Sequence, residues 1–292
     1  MRGAIPAALA ASLLAPASAL AGTPVTEKMT CPIGGKAFEF ETTASYSTWG
    51  TRADGKPFGS WTFPLAIPEC PDNGLVLYKD YTPEEVAKLE PLVASEAYQA
   101  LRREDTPYYR AYWLMKEMGL GPERYLWALL QASWEADDRP ALRARYLAEL
   151  ADASAAVPAD PANLNWIGME GRAVNALREL GRFDEALARL DKVKIDPPTP
   201  LDMDQEEGKS RARWIDYFAK QQLLIARRDK SSEPFELLPR REALSRCGEG
   251  KELDLNQAVW CESAKADAEA AKSKEDDLAR EAETIGKKGE AR

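Results

Sequence analysis

The chain has no histidine in 292 residues. That absence excludes Ser-His-Asp and Cys-His nucleophile systems, histidine metal sites and histidine proton shuttles. Positive charge is in deficit as well: 39 Lys and Arg stand against 48 Asp and Glu, a net charge of −9. A general phosphate-backbone binder needs a basic face, so nucleic acid is not an expected partner. No G-x-x-x-x-G-K-[ST], G-x-G-x-x-G or G-x-S-x-G phrase occurs, so none of these nucleotide-cradling or nucleophile turns is present. The acidic stretch from Leu201 to Gly208 opens like a calcium loop. Its sixth position is Glu207 and its twelfth is Arg213, where that loop needs Gly and a bidentate Glu. It reads instead as the acidic first turn of a helix. Most other paired carboxylates sit beside Lys or Arg at helical spacing, as on solvated faces.

Long apolar runs are also missing, with one short exception. Arg2 is the only charge in the first 26 residues, and Ala4 to Ala15 follow it as an apolar run. Pro16 breaks the run, and Ala19-Leu20-Ala21 offers small residues where a signal peptidase reads. This pattern predicts a secretory signal peptide over residues 1–21, cleaved after Ala21. A membrane span needs roughly 20 apolar residues, so an anchor is not expected. No Cys follows the cleavage site, which excludes a lipoprotein. The expected protein is therefore exported, periplasmic if the cell is Gram-negative, with no membrane span after cleavage and a disulfide-permissive environment.

The chain is 45% hydrophobic and 30% charged over its full length, enough for a packed core. Residues 22–81 carry period-two patterning. Phe38, Phe40 and Thr42 alternate with Ala37, Glu39 and Glu41, which predicts a half-buried strand. Ser45 to Trp49, Trp61 to Phe63 and Leu75 to Tyr78 are further short strand candidates, with Ala53-Asp54-Gly55 as a turn. From Thr82 the period changes. Thr82-Pro83-Glu84-Glu85 is a capping box with Pro at the first helical position. Pro107, Pro122 and Pro140 open further helices, followed by helices near Asn163 to Leu180, Phe183 to Val193 and Gln205 to Arg228. Residues 82–230 thus form a helical domain whose short connections favour antiparallel neighbours. Trp113, Trp127, Trp134, Trp166 and Trp214 lie within it at helical spacing and are read as core rather than as ligand-stacking rings. A segment at 231–261 holds two cysteines. Residues 262–292 carry 7 positive and 9 negative side chains and no aromatic, a solvated helix or a disordered tail.

The four cysteines are Cys31, Cys70, Cys247 and Cys261. Cys31-Pro32-Ile33-Gly34-Gly35 and Cys70-Pro71-Asp72-Asn73-Gly74 both resemble a zinc knuckle, C-P-x-C-G. Each keeps the first cysteine, and Gly34 and Asn73 stand in place of the second. A closed structural zinc site wants four N or S ligands, so the resemblance implies a ribbon scaffold that has lost its metal. No zinc or other cofactor is expected. In such a ribbon the knuckles face each other, which implies a Cys31–Cys70 disulfide, with Cys247–Cys261 as the second. Other pairings and free thiols remain alternatives. Closing the first loop contributes roughly 3–4 kcal/mol in the chain-entropy account.

A second resemblance covers Gly168 to Pro198. Ala176, Leu177 and Leu180 precede Gly181-Arg182-Phe183-Asp184-Glu185-Ala186-Leu187, then Leu190, Val193 and Pro198. This is similar to a tetratricopeptide repeat, a helical hairpin of about 34 residues. Glu170 stands where that repeat has Trp, and Val174 where it has a small residue. The other hairpins match in length and spacing only. Stacked hairpins build a concave groove, so the resemblance places Asn175, Arg178 and Glu179 as candidate partner-binding residues, against an ordinary solvated helix face. The arrangement of knuckles and helices over about Met29 to Pro198 resembles the bacterial family termed domain of unknown function 2225. The implied fold is α+β, mostly α: a small zinc-ribbon-like β module, then a right-handed tetratricopeptide-like α-solenoid and a charged C-terminal helix. The expected function is non-catalytic, a binding or scaffold protein for an envelope protein segment, with no catalytic residue. The alternative is a cell-envelope glycan or peptide hydrolase. It would need two carboxylates of raised pKa about 5–10 Å apart in a cleft.

Overall fold

The computed structural model describes residues 22–248 and 252–290, with side chains described as far as Lys272. The signal peptide expected at residues 1–21 lies outside them. The fold is α+β and mostly α, with ten helices and two small sheets among the described residues. Strands β1 (Thr23–Thr30) and β2 (Ala37–Ser45) form an antiparallel hairpin. The alternation read at Phe38, Phe40 and Thr42 is observed on β2: these three are half-buried while Ala37, Glu39 and Glu41 face solvent. Strands β3 (Thr48–Thr51) and β4 (Pro57–Gly59) form a second small antiparallel pair. The strands expected at Trp61–Phe63 and Leu75–Tyr78 do not form. Only an isolated bridge, Glu69 with Val76, occurs there. Pro64, Pro68 and Pro71 remove backbone donors along this stretch, which suits irregular chain better than a ladder.

Ten helices follow. Helix α1 (Pro83–Ala94) starts at the capping box, with Thr82 accepting from the Glu85 amide and Glu85 from the Thr82 amide. Ser95 ends α1 and caps α2 (Glu96–Glu104). Thr106 caps α3 (Pro107–Glu117), and Gly119 ends it at φ +74. Helices α4 (Pro122–Glu135) and α5 (Pro140–Ala155) each carry Pro in the first turn. There its missing N–H breaks no helical bond. Next come α6 (Leu164–Glu179), α7 (Phe183–Leu190) and α8 (Glu206–Ala226). Two shorter connections lead through α9 (Arg240–Arg246) to the long α10 (Leu255–Glu290). Successive helices from α3 to α7 pack on one another, and α8 packs on both α6 and α7.

Packing joins the β module to the helices. The Cys31–Cys70 bridge is fully buried in the same core as Leu75, Val76, Leu89, Val93, Tyr98 and Leu114. Leu75 and Val76 therefore pack side chains rather than pair strands, and each such burial contributes about 1.5–3 kcal/mol. A second core holds Ile167, Val174, Leu177, Phe183, Ala186 and Phe218 between α6, α7 and α8. A third joins β4 to the segment from Phe235 to Cys261. Phe235, Leu238 and Trp260 pack around the Cys247–Cys261 bridge and against Phe58 of β4. Pro239 covers Gly50, whose φ of +138 leaves no room for a side chain. Trp49 Nε1 donates to Glu242 at 2.7 Å.

Candidate functional site

The three residues proposed to face a groove are brought together, but inside the protein. Asn175 and Arg178 have no exposed surface. Arg178 donates from Nε to Gln221 of α8 at 3.1 Å and from Nη2 to Asn175 at 2.8 Å. Its remaining donors reach the backbone carbonyls of Asp229 and Ser231, each at 2.8 Å. Asn175 Nδ2 donates to Glu179 Oε1 at 2.7 Å. Helix α8 and the chain at 229–231 cover this face of α6, so it offers no open groove. The expectation of a solvent-facing position is corrected here. A helical repeat would expose this face only if no later helix packed on it.

These residues continue into a buried ion cluster that seats the β module. The turn Arg52-Ala53-Asp54-Gly55 inserts among α4, α5, α6 and α8. Arg52 donates to Asp54 at 2.6 and 3.2 Å and to Asp137 at 2.7 and 3.1 Å. Arg143 of α5 donates to Glu179 at 2.7 Å, Asp137 at 2.9 Å and Asp54 at 3.1 Å. The Ala53 carbonyl accepts from Arg172 at 2.9 Å and from the Tyr217 hydroxyl at 2.8 Å. Gly55 lies at φ +91, and a Cβ there would meet Arg172 at 2.8 Å. Burial alone would raise the Asp54 carboxyl, but Arg52 and Arg143 together hold it below its ordinary value. Burial pushes Glu179 up and the Asp54 charge adds to the rise, against the pull of Arg143. A buried pair of this kind is broken at high cost. This cluster fastens parts of the fold together.

The two knuckle-like turns also come together. Each cysteine amide donates to the carbonyl five residues on: Cys31 to Lys36 at 2.8 Å, Cys70 to Leu75 at 2.9 Å. Each cysteine carbonyl accepts from the amide four residues on, Gly35 at 3.1 Å and Gly74 at 2.9 Å. The turns differ at their fourth position. Gly34 has φ +85, whereas Asn73 has an ordinary φ and donates across to the Ile33 carbonyl at 3.0 Å. Asp72 lies near the two sulfurs, but both sulfurs are spent on the disulfide. The second bridge, Cys247–Cys261, closes with a Cα separation of 5.6 Å.

An open cleft lies at the other end of α6. It has a volume of about 520 Å³ and sits between the start of α4, the end of α5 and the start of α6. Trp127, Leu126, Val157, Trp166 and Met169 make its apolar surface, and Glu123, Asp160, Asn163 and Asn165 make its rim. The local sequence explains the opening. Pro158, Asp160 and Pro161 keep the α5–α6 connection extended. Asn163 then caps α6 by accepting from the Asn165 amide at 2.9 Å. Glu170 closes the inner wall. It takes Arg189 of α7 as a two-point partner, with Nη2 to Oε2 at 2.6 Å, while Arg189 also donates to the Ala151 carbonyl at 2.8 Å. A second hollow of about 480 Å³ shares Ser154, Val157, Ala159, Trp166 and Glu170 with the cleft and continues toward α7. A further hollow of about 460 Å³ at the 194–208 connection is walled by prolines and charged side chains and has no aromatic ring.

Sequence reading took Trp113, Trp127, Trp134, Trp166 and Trp214 as core, and all five are half-buried and pack against the two larger cores. Trp127 and Trp166 differ in also lining the cleft, and each lies within five residues of a helix start at Pro122 or Asn163. The ion cluster was missed altogether, because Ala53-Asp54-Gly55 reads locally as an ordinary turn. Among the described residues no helix is long and apolar enough to cross a membrane, and two disulfides fit an oxidising environment. Comparison of the chain with protein-family models, with curated proteins and with solved structures finds no match.

Proposed function

We propose that the protein is an exported, non-catalytic binding or scaffold protein that holds a segment of an envelope protein in the cleft between α4, α5 and α6. The observation that carries this reading is an open cavity of about 520 Å³ walled by two half-buried indoles. Clefts of this size, apolar with a few placed polar groups, are the usual form of a binding site. The paired cysteine turns support placing the β module with the metal-free relatives of zinc ribbons, and the α6–α7 hairpin supports a tetratricopeptide-like array. Asn175, Arg178 and Glu179 act through folding in this reading rather than by touching the partner.

The hydrolase alternative asks for two carboxylates of raised pKa facing one cleft. Burial raises Glu135 and Glu179. Glu135 is occupied by the Tyr108 amide at 2.9 Å and Glu179 by Arg143. Neither lines the cleft. No observation favours that alternative over binding.

The test is cross-linked capture from a periplasmic extract with tagged mature protein, run beside Trp166→Ala. A single envelope protein enriched by the wild type and lost in the variant is the expected result. A partner retained by the variant moves the site elsewhere. Capture of nothing sinks the scaffold reading and turns attention to glycan and peptide hydrolysis.

A further inference from the structure

The charge around the cleft is one-sided. Three acidic side chains line it, Glu123, Asp160 and Glu170, and no lysine or arginine does. Glu170 is buried and already neutralised by Arg189. Glu123 and Asp160 are exposed at the rim. Glu123 lies against Gly121 at the start of α4, and no ion pair forms at either carboxylate among the described residues. An anion entering here would meet two negative charges that have no ion-pair partner among the described residues. A cation would find two carboxylates beside two indole rings.

The apolar surface selects further. Lysine and arginine carry a long aliphatic stem that lies along apolar surface while the charged head stays in water. Their cations are also drawn to indole faces. The adjoining hollow is balanced instead, with Asp152, Glu170 and Glu185 set against Arg182, Arg189 and Lys192. Arg182 there pairs with Asp152 at 3.3 Å and Glu185 at 2.6 Å, and Arg189 pairs with Glu170. Lys192 lines the same hollow, is exposed, and has no ion-pair partner among the described residues. The two hollows together thus run from an acidic mouth past Trp166 to a lysine. The net charge of −9 adds long-range attraction for a basic partner.

We infer that the cleft selects a basic segment of its partner protein, a lysine or arginine whose stem lies on Trp127 and Trp166 and whose cation meets Glu123 and Asp160. This rests on the proposed segment-binding function and adds the chemistry of the segment.

The test is titration of the full mature chain with three capped hexapeptides, alternating Leu with Lys, with Ser or with Glu, and separately with chitotetraose. The readout is the indole N–H resonances, assigned with Trp127→Phe and Trp166→Phe. The Lys peptide is expected to shift both resonances, and Glu123→Gln with Asp160→Asn to weaken it about ten-fold or more. Both rim residues are exposed, so the double variant keeps the fold, checked by an unchanged melting curve. Equal binding of the Ser peptide, untouched by the double variant, overturns the charge inference and leaves segment binding standing. Tighter binding of the Glu peptide also overturns it. Indole shifts with chitotetraose but no peptide, or with no probe at all, overturn both readings.

Discussion

Replacing Arg143 by methionine tests the ion cluster directly. The Arg143 side chain is 10% exposed and serves three carboxylates and the Ser133 carbonyl. Its loss does not strand all of them. Asp54 keeps Arg52 and the Lys56 amide, and Asp137 keeps Arg52 and Lys56. Glu179 is the orphan: its side chain is 6% exposed, and only the Asn175 amide still donates to it. Removing one partner of a buried ion pair costs about 3–5 kcal/mol. That is a large share of the roughly 5–15 kcal/mol stability of a typical domain. The expected result at pH 7 is an unchanged slope and a urea midpoint lowered by that free energy divided by the slope. Adding Glu179→Gln removes the unpaired charge while keeping an acceptor for Asn175, so the double variant should recover about 1–3 kcal/mol. The pH dependence follows from Glu179, whose folded pKa is already above the ordinary 4.5. A raised carboxyl favours the fold when protonated, so the Arg143→Met deficit should shrink as pH falls from 7 toward 4.5. A deficit below about 1 kcal/mol, or no recovery with Glu179→Gln, would refute the view that this cluster holds the parts together.

Asp54 predicts the opposite sign in acid. Its folded pKa lies below the ordinary 3.8, so its contribution is present above that value and lost as pH falls through the folded one. The gap between wild type and Asp54→Asn in urea melts should therefore close below about pH 4, and a constant gap would contradict the assignment. Replacing both cysteines of a bridge by serine should cost about 4 kcal/mol for Cys31–Cys70 and about 3 for Cys247–Cys261, from loops of 39 and 14 residues. Equal melting temperatures with and without reductant would refute this. Gly50→Ala drives a side chain into Pro239. It should cost about 1–3 kcal/mol and expose the 231–248 segment to protease, with full protection counting against the packing described.

Legibility in the sequence followed the range of the interaction. Thr82 and Glu85, Pro107, Pro122, Pro140, Gly119 and Gly181 act within one turn of themselves, and the helix ends they mark are where the sequence puts them. Phe183 and Ala186, part of the phrase that resembles a tetratricopeptide repeat, pack in the core beside α6, because a hairpin brings its two helices together locally. The turn at Arg52 to Gly55 meets α6 and α8 more than 100 residues away, and no local pattern encodes that meeting. The same distance explains Asn175, Arg178 and Glu179. Their polar character suggested solvent, yet α8 supplies Gln221 and the chain beyond it supplies two carbonyls. A polar helix face can be an outer surface or a satisfied inner one, and only the later chain decides.

Helix α6 carries both features on one rigid element. Trp166, at its first turn, walls the cleft, and Arg178, near its last, is locked into the ion cluster. Twelve residues of helix place them about 18 Å apart. A change at Arg178 therefore reaches the cleft by loosening α6 against α8 and the Arg52–Gly55 turn, whereas a change at Trp166 removes the proposed binding surface and trims only the edge of the second core. Under the proposed binding function, loss of partner with a large loss of stability is the signature of the first, and loss of partner with a small one is the signature of the second. An Arg178→Ala variant that lost the partner while melting like the wild type would mean that Arg178 touches the partner, and the buried position described here would then be wrong for the working protein.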